Sequence, residues 1–182
     1  EGSEKLQKPK GRYVTIGIDD LLARKENAFE NAVQAIADEL TALLPKSEDS
    51  LALVVGLGNR DITPDAVGPH AAEQIIATRH LLQRMPDSFA GMRPVTALAP
   101  GVLGTTGIET GELVAGVSEK VRPAFLIAID ALASRQTNRL CRTVQLANTG
   151  VTPGSGGGNA RFALTQETLG IPSLAIGVPT VV

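Results

Sequence analysis

Two aspartates occupy positions where an α/β sheet would present reactive groups. Asp65 belongs to the glycine-rich stretch 56–69, which follows the apolar run 51–55 and leads into a helical pattern. Asp130 comes directly after 125–129, the most strongly apolar strand pattern in the chain. Because sites in open α/β sheets lie beyond the carboxyl ends of the strands, we expect both carboxylates at one edge of a shared sheet.

A pair of carboxylates in one cleft supports two kinds of chemistry. The two groups can share a proton, so that one acts as a general base toward water and the other as a general acid. They could equally hold a divalent metal, because carboxylate oxygens are ligands of hard cations. The pattern therefore predicts Asp65 and Asp130 as catalytic residues, with no metal assigned and a metal between them left open.

Each aspartate also has a structural interpretation. Asp65 follows Thr63 and Pro64, so it could be a helix N-cap or an acid in the first turn. Asp130 could cap a helix starting in 131–134. An aspartate that ends so apolar a run is costly, however, unless it is paired, exposed in a cleft or bound to a ligand.

A second loop at the same predicted edge could bind substrate. Thr105, Thr106 and Glu109 lie in the glycine-rich stretch 101–110, which resembles an anion-binding turn and could orient a carbonyl or stabilise an oxyanion. The alternative is a capping box from Thr106 to Glu109, which has the required spacing. Arg135 could reach over the cleft or form a surface ion pair.

Other reactive residues lack a supporting pattern. His70 and His80 are ten residues apart on one predicted helix and point in nearly opposite directions, so they do not form a two-histidine metal site. The stretch 154–159 lacks the Gly-Lys-Ser/Thr ending of a Walker motif, and Ser155 has no nucleophile-elbow context. Cys141 has no partner motif and is predicted to be a small core or interface residue.

The composition excludes several classes of protein. The chain has 182 residues, 43% of them hydrophobic and 20% charged, which is typical of one globular domain. A net charge of −2 gives no reason to expect nucleic acid as a partner. No apolar run approaches the roughly 18 residues of a membrane span, so no membrane partner is expected. A single cysteine excludes an internal disulfide and fits a reducing interior.

Alternating apolar strands and helical patterns predict an α/β fold: a three-layer sandwich with a mostly parallel central sheet, phosphorylase/hydrolase-like in type. We expect a flexible arm at 1–11 and a single catalytic domain at 12–182, truncated at both ends. The predicted strands are 12–18, 51–55, 94–99, 125–129, 143–146 and 174–178. The predicted helices are 20–44, 66–83 and 109–121, and a glycine-rich loop is predicted at 150–159.

Several sequence blocks, in order, resemble the germination protease family of spore-forming bacteria. The blocks are 56–69, 93–110, 127–133, 153–159 and 167–182. The resemblance implies an atypical aspartic-type endopeptidase that initiates the degradation of small acid-soluble spore proteins during germination. It also implies a fold similar to that of hydrogenase maturation endopeptidases, whose Gly-x-Gly-Asn…acid…Gly turn is similar to 56–68.

The resemblance carries further expectations. The family's two catalytic aspartates fall on Asp65 and Asp130. Family members are made as inactive zymogens, trim their own N-terminus and act as homotetramers. The implied partners are the spore proteins and other copies of the chain, and the implied location is the cytoplasm of the forespore or spore core.

Two other functions remain open at this point. One is a metal-dependent protease of the hydrogenase maturation type, which should have a histidine ligand beside its acids. Only His70 is placed for that role. The other is a small-ligand-binding or nucleotide-binding α/β module that uses the glycine loops.

Overall fold

The computed structural model describes residues 8–45, 50–153 and 162–182, and these form a six-stranded sheet with helices on both faces. The strands are β1 (Tyr13–Gly17), β2 (Ala52–Gly56), β3 (Val95–Leu98), β4 (Phe125–Ala133), β5 (Thr143–Ala147) and β6 (Ser173–Val181). The helices are α1 (Asp19–Leu22), α2 (Ala28–Leu43), α3 (Val67–Gln74), α4 (Arg79–Arg84), α5 (Leu103–Thr106), α6 (Thr110–Val121) and α7 (Gln166–Leu169). Single 3-10 turns occur at Thr63–Asp65, Asp87–Phe89 and Thr137–Arg139.

The sheet is mostly parallel, as predicted. The strand order is β1-β5-β6-β4-β2-β3. β4 pairs in parallel with β2 and β6, and β2 pairs in parallel with β3. β5 is antiparallel to both of its neighbours, β1 and β6, so it alone runs against the other five strands. The carboxyl ends of β2, β3, β4 and β6 therefore meet at one edge.

Two apolar layers sandwich the sheet, which confirms the three-layer prediction. Along β2 and β4, successive side chains alternate between the two faces. Leu53 and Leu126 belong to the layer that includes Val114 of α6. Val54 and Phe125 belong to the opposite layer, against which α2 and α3 pack through residues such as Leu40. Burial on both faces explains why the sequences of these strands are continuous apolar runs.

The predicted helix at 20–44 is wrong in its continuity. Helix α1 ends at Leu22 and α2 begins at Ala28. Between them, Arg24 and Asn27 adopt positive φ angles of 52° and 54°, which a continuous right-handed helix does not allow. The intervening residues 23–27 have little apolar surface to bury. A helix there would therefore gain little stability from packing against the sheet.

The predicted helix at 66–83 is also two helices, α3 and α4, separated by 75–78. The break is stabilised by Thr78, which is 3% exposed. Its hydroxyl donates to the Arg93 carbonyl at 2.5 Å and accepts from the Val95 amide at 2.9 Å. Its own amide donates to the Val95 carbonyl at 3.1 Å. Pairing with the start of β3 thus replaces the helical hydrogen bonds that the periodicity predicted.

Strand β4 is longer than predicted, and Asp130 lies inside it rather than after it. Residues 131–133 continue the strand, so the alternative in which Asp130 caps a following helix is wrong. Strand β2 stops at Gly56, opposite Ile129, whereas pairing with β6 continues to Ala133. Asp130 is therefore the first residue of β4 beyond the end of β2. Strand β6 likewise extends past its predicted range, and the short helices α5 and α7 were not predicted.

Candidate active site

The glycine turn after β2 packs directly on the ends of two strands. The Leu57 amide donates to the Ile129 carbonyl at 2.8 Å, which ties the turn to β4. A Cβ on Gly68 would lie 2.2 Å from the Leu57 carbonyl oxygen and 2.4 Å from that of Ile129. A Cβ on Gly58, where φ is +115°, would lie 2.1 Å from the Asp65 carbonyl oxygen. These two glycines allow main chain to approach main chain at the site, which no other residue would permit.

Asp65 is held by the turn that it belongs to. It ends the 3-10 turn, and its amide donates to the Ile62 carbonyl at 2.8 Å. Its Oδ2 atom accepts a hydrogen bond from the Asn59 amide at 2.7 Å. Helix α3 starts at Val67 with Ala66 at the N-cap position, and no side chain caps it. The N-cap interpretation of Asp65 is therefore wrong, since its carboxylate is fixed by the loop instead.

Asp130 is a buried carboxyl group, 9% exposed, at the point where β4 passes the end of β2. Burial raises its pKa from the ordinary 3.8 to about 6, because the charged form loses hydration. A backbone hydrogen bond at Ala131 opposes this shift, and the negative charge of Asp65 adds to it. The turn Thr63–Asp65 contacts both β4 and β6. The structure thus brings the two predicted aspartates into one electrostatically coupled site.

The predicted loop residues are exposed or partly exposed, and the hydrogen bonds of Thr105 and Thr106 are local. Thr105 and Thr106 are exposed, and their hydroxyls donate to the Val102 carbonyl at 2.9 and 3.1 Å. Glu109 directly precedes α6, and the Thr106–Glu109 capping box is absent because the Thr106 hydroxyl accepts from the Ile108 amide instead. Arg135 is exposed beyond the end of β4.

A cleft of about 160 Å³ opens beside Asp130 on the sheet face that carries its side chain. On this face, α6 and α7 cover β2 and β4, whereas Tyr13 and Thr15 of β1 remain exposed. The described lining residues include Asp130, Leu132, Gln145 and Gly177 but none of the four loop residues above. Gln145 was missed by sequence reasoning, because its position depends on how β5 pairs with β6.

The histidines do not complete a metal site in the described ranges. His70 is exposed, with its Nδ1 atom 3.7 Å from Oε2 of Glu73, and Glu73 also forms an ion pair with Arg60. His80 is exposed on α4. Within residues 8–45, 50–153 and 162–182, no group of three histidine, cysteine or acidic residues is arranged to hold a metal ion.

Two further sequence features remain, the stretch 154–159 and Cys141. The glycine-rich stretch 154–159, including Ser155, lies outside the described residues. The free Cys141 is exposed, so it is not a core residue, and its place at an interface stays a prediction. Among the helices that the structure describes, none is both long and apolar enough to cross a membrane.

The fold and the site together define a class: a three-layer α/β domain with an aspartate pair where two adjacent parallel strands end. Comparison with known proteins narrows that class. A family model described as germination protease matches residues 1–182. The chain belongs to the germination protease family.

Individual relatives agree with the family model. The germination protease of Clostridium perfringens is 49% identical over 100% of this chain and 56% of its own length. That of Priestia megaterium is 48% identical over 100% of this chain and 50% of its own. The chain spans about half the length of these curated relatives. A solved NiFe hydrogenase maturation protease from Thermococcus kodakarensis aligns with 73% of this chain and 76% of its own, at 21% identity and a TM-score of 0.47.

Proposed function

We propose that this chain is the catalytic part of an endopeptidase that initiates the degradation of small acid-soluble spore proteins during germination. The observation that carries the proposal is the buried carboxyl of Asp130, whose pKa is raised to about 6 beside the carboxyl of Asp65. Family membership supplies the class of reaction. The site supplies two acids in different environments, which is the arrangement that general acid–base hydrolysis requires.

In the proposed mechanism the two aspartates have different roles. Asp65, fixed by the Asn59 amide, takes a proton from water as the water oxygen bonds to the scissile carbonyl carbon. Asp130, protonated, gives its proton to the carbonyl oxygen. As the resulting diol collapses, the diol hydroxyl returns a proton to Asp130 while Asp65 protonates the leaving nitrogen and the C–N bond breaks. Both aspartates then regain their starting states.

The second loop has a lesser part in this proposal. We assign Thr105, Thr106, Glu109 and Arg135 to substrate contact or oxyanion stabilisation. The main-chain and hydroxyl donors of Thr105 and Thr106 bond to Val102 in the substrate-free state. An oxyanion contact from them therefore requires this exposed loop to rearrange when substrate binds.

The remaining family properties belong to the same proposal. They are synthesis as a zymogen, removal of the protein's own N-terminus, assembly into a homotetramer and action in the forespore or spore-core cytoplasm. Phe29 and Val33 of α2 are 62% and 50% exposed, which is apolar surface that an assembly would cover. The proposal assigns no cofactor. Whether a divalent metal binds between Asp65 and Asp130 is a separate question for experiment.

The experiment measures cleavage of a small acid-soluble spore protein by the whole protein to which this chain belongs. Asp65→Asn and Asp130→Asn should each lower the rate by roughly 10²- to 10⁴-fold or more, with the fold retained. Asp61→Asn is the matched control, because Asp61 is an exposed aspartate of the same turn. It should keep full activity. Normal cleavage by both site variants would rule out the aspartate pair.

A further inference from the structure

One row of residues runs straight across three strands from Asp130. Asp130 pairs with Gly177 of β6, and Gly177 pairs with Gln145 of β5. Residues directly opposite each other in a sheet point to the same face, so the side chains of Asp130 and Gln145 share a face. At a strand spacing of about 4.8 Å, the Cα atoms of Asp130 and Gln145 are about 9.6 Å apart.

The space between these two side chains is shaped by Gly177. A Cβ on Gly177 would lie 2.3 Å from Cδ1 of Leu132, so Leu132 leans into the room that the glycine leaves. On the same face, the next row has the small side chains of Ala175 and Ala147, followed by Tyr13 of β1. The floor of the cleft between Asp130 and Gln145 is therefore apolar, and the described lining also includes Lys8, Tyr13 and Thr15 on the β1 side.

The carboxamide of Gln145 has no protein partner within the described ranges. The residue is half-buried and lines the same cleft as Asp130. No hydrogen bond of its side chain occurs among the described residues, although a carboxamide offers two N–H donors and one carbonyl acceptor. A solvated surface glutamine would also be unpaired, but this amide faces a cleft beside the proposed catalytic acid.

A carboxamide suits an extended peptide. Its N–H and C=O groups lie in one plane, so it can pair with both the carbonyl and the amide of a main-chain unit, whatever the side chain. An extended strand advances about 3.3 Å per residue. A chain placed with its scissile bond at Asp130 would therefore bring a main-chain unit about three residues away over Gln145.

We propose that the Gln145 carboxamide binds the main chain of the substrate about three residues from the scissile bond and so aligns that bond with Asp130. This inference rests on the proposed endopeptidase function. It makes Gln145 a substrate-binding residue, and it predicts that its contribution is independent of the substrate side chains.

The test compares Gln145→Leu with the unaltered whole protein, using a spore-protein peptide as substrate. Leucine keeps most of the volume and removes the donors and acceptor. We expect kcat/KM to fall roughly 10- to 100-fold, mainly through a higher KM. The control is Gln83→Leu, at an exposed position of α4 outside the cleft, which should leave both constants unchanged. Gln145→Met repeats the test if the leucine variant does not fold.

Binding is measured separately in the Asp130→Asn background by fluorescence anisotropy of the labelled peptide. Adding Gln145→Leu should weaken binding by a factor similar to the change in KM. Replacing the substrate amide about three residues from the scissile bond by an ester should weaken binding to the protein that has Gln145 but leave binding to the Gln145→Leu variant unchanged. Unchanged KM and unchanged binding would overturn the Gln145 proposal alone. Normal cleavage by Asp130→Asn would instead overturn the proposed function.

Discussion

Two glycine-rich turns follow neighbouring parallel strands, and they differ in how they meet the rest of the molecule. In the stretch 56–69, from the end of β2 to the start of α3, a Cβ on Gly56 or Gly68 would lie 2.1 or 2.2 Å from a main-chain oxygen. In the turn after β3, a Cβ on Gly104 or Gly107 would meet nothing within 4 Å. The first turn is pressed onto the sheet and fixes Asp65, whereas the second is exposed. The glycines of the first turn therefore allow close packing of main chain on main chain, whereas those of the second turn allow the chain to bend.

The largest expected difference between the turns is in stability. Gly68→Ala would drive a methyl group into the Leu57 and Ile129 carbonyls, which the strand ends cannot avoid without moving. We expect a loss of at least about 3 kcal/mol in the free energy of unfolding. Gly104→Ala lies in α5 with open space around it, so it should be neutral or stabilising by up to about 1 kcal/mol. Urea denaturation of both variants measures this, and equal effects would contradict the comparison.

The pH dependence of stability isolates the buried acid of the first site. The folded-state pKa of Asp130, about 6, lies above its ordinary value of 3.8, so the folded protein binds the extra proton between these values. The stabilisation from that proton is complete below about pH 4 and is lost as pH rises to about 6. Since one pKa unit corresponds to about 1.4 kcal/mol, the loss is about 3 kcal/mol.

The difference in unfolding free energy between the unaltered protein and Asp130→Asn cancels the other titrating groups. This difference should fall across pH 4–6 and stay constant above it. A flat difference over that range would show that Asp130 is ionised like an ordinary surface carboxyl.

The smallest expected effect concerns the second turn. Replacing both hydroxyls by Thr105→Val and Thr106→Val removes local hydrogen bonds at exposed positions, so stability should change by about 1 kcal/mol or less. If the loop contributes to oxyanion stabilisation, kcat for peptide cleavage should fall by roughly tenfold with KM unchanged. Unchanged kcat would show that this loop takes no part in the mechanism.

The sequence indicated most of what positions the aspartates. The continuous apolar runs 51–55 and 125–129 predicted buried parallel strands, and the strand-end rule then placed Asp65 and Asp130 at one edge. Local pattern could not predict the break at Thr78, because it depends on hydrogen bonds to residues 93 and 95. The place of Gln145 depended on which strand β5 pairs with and on which residue of β6 lies opposite it, whereas the alternation of side chains fixes only the face.

The most direct test of the aspartate pair is a carbon-13 NMR titration of the Asp130 carboxyl in the folded protein. We expect a pKa of about 6, which should decrease in Asp65→Asn because the neighbouring negative charge is removed. A pKa near the ordinary 3.8, or one that does not respond to Asp65→Asn, would contradict the coupled aspartate pair.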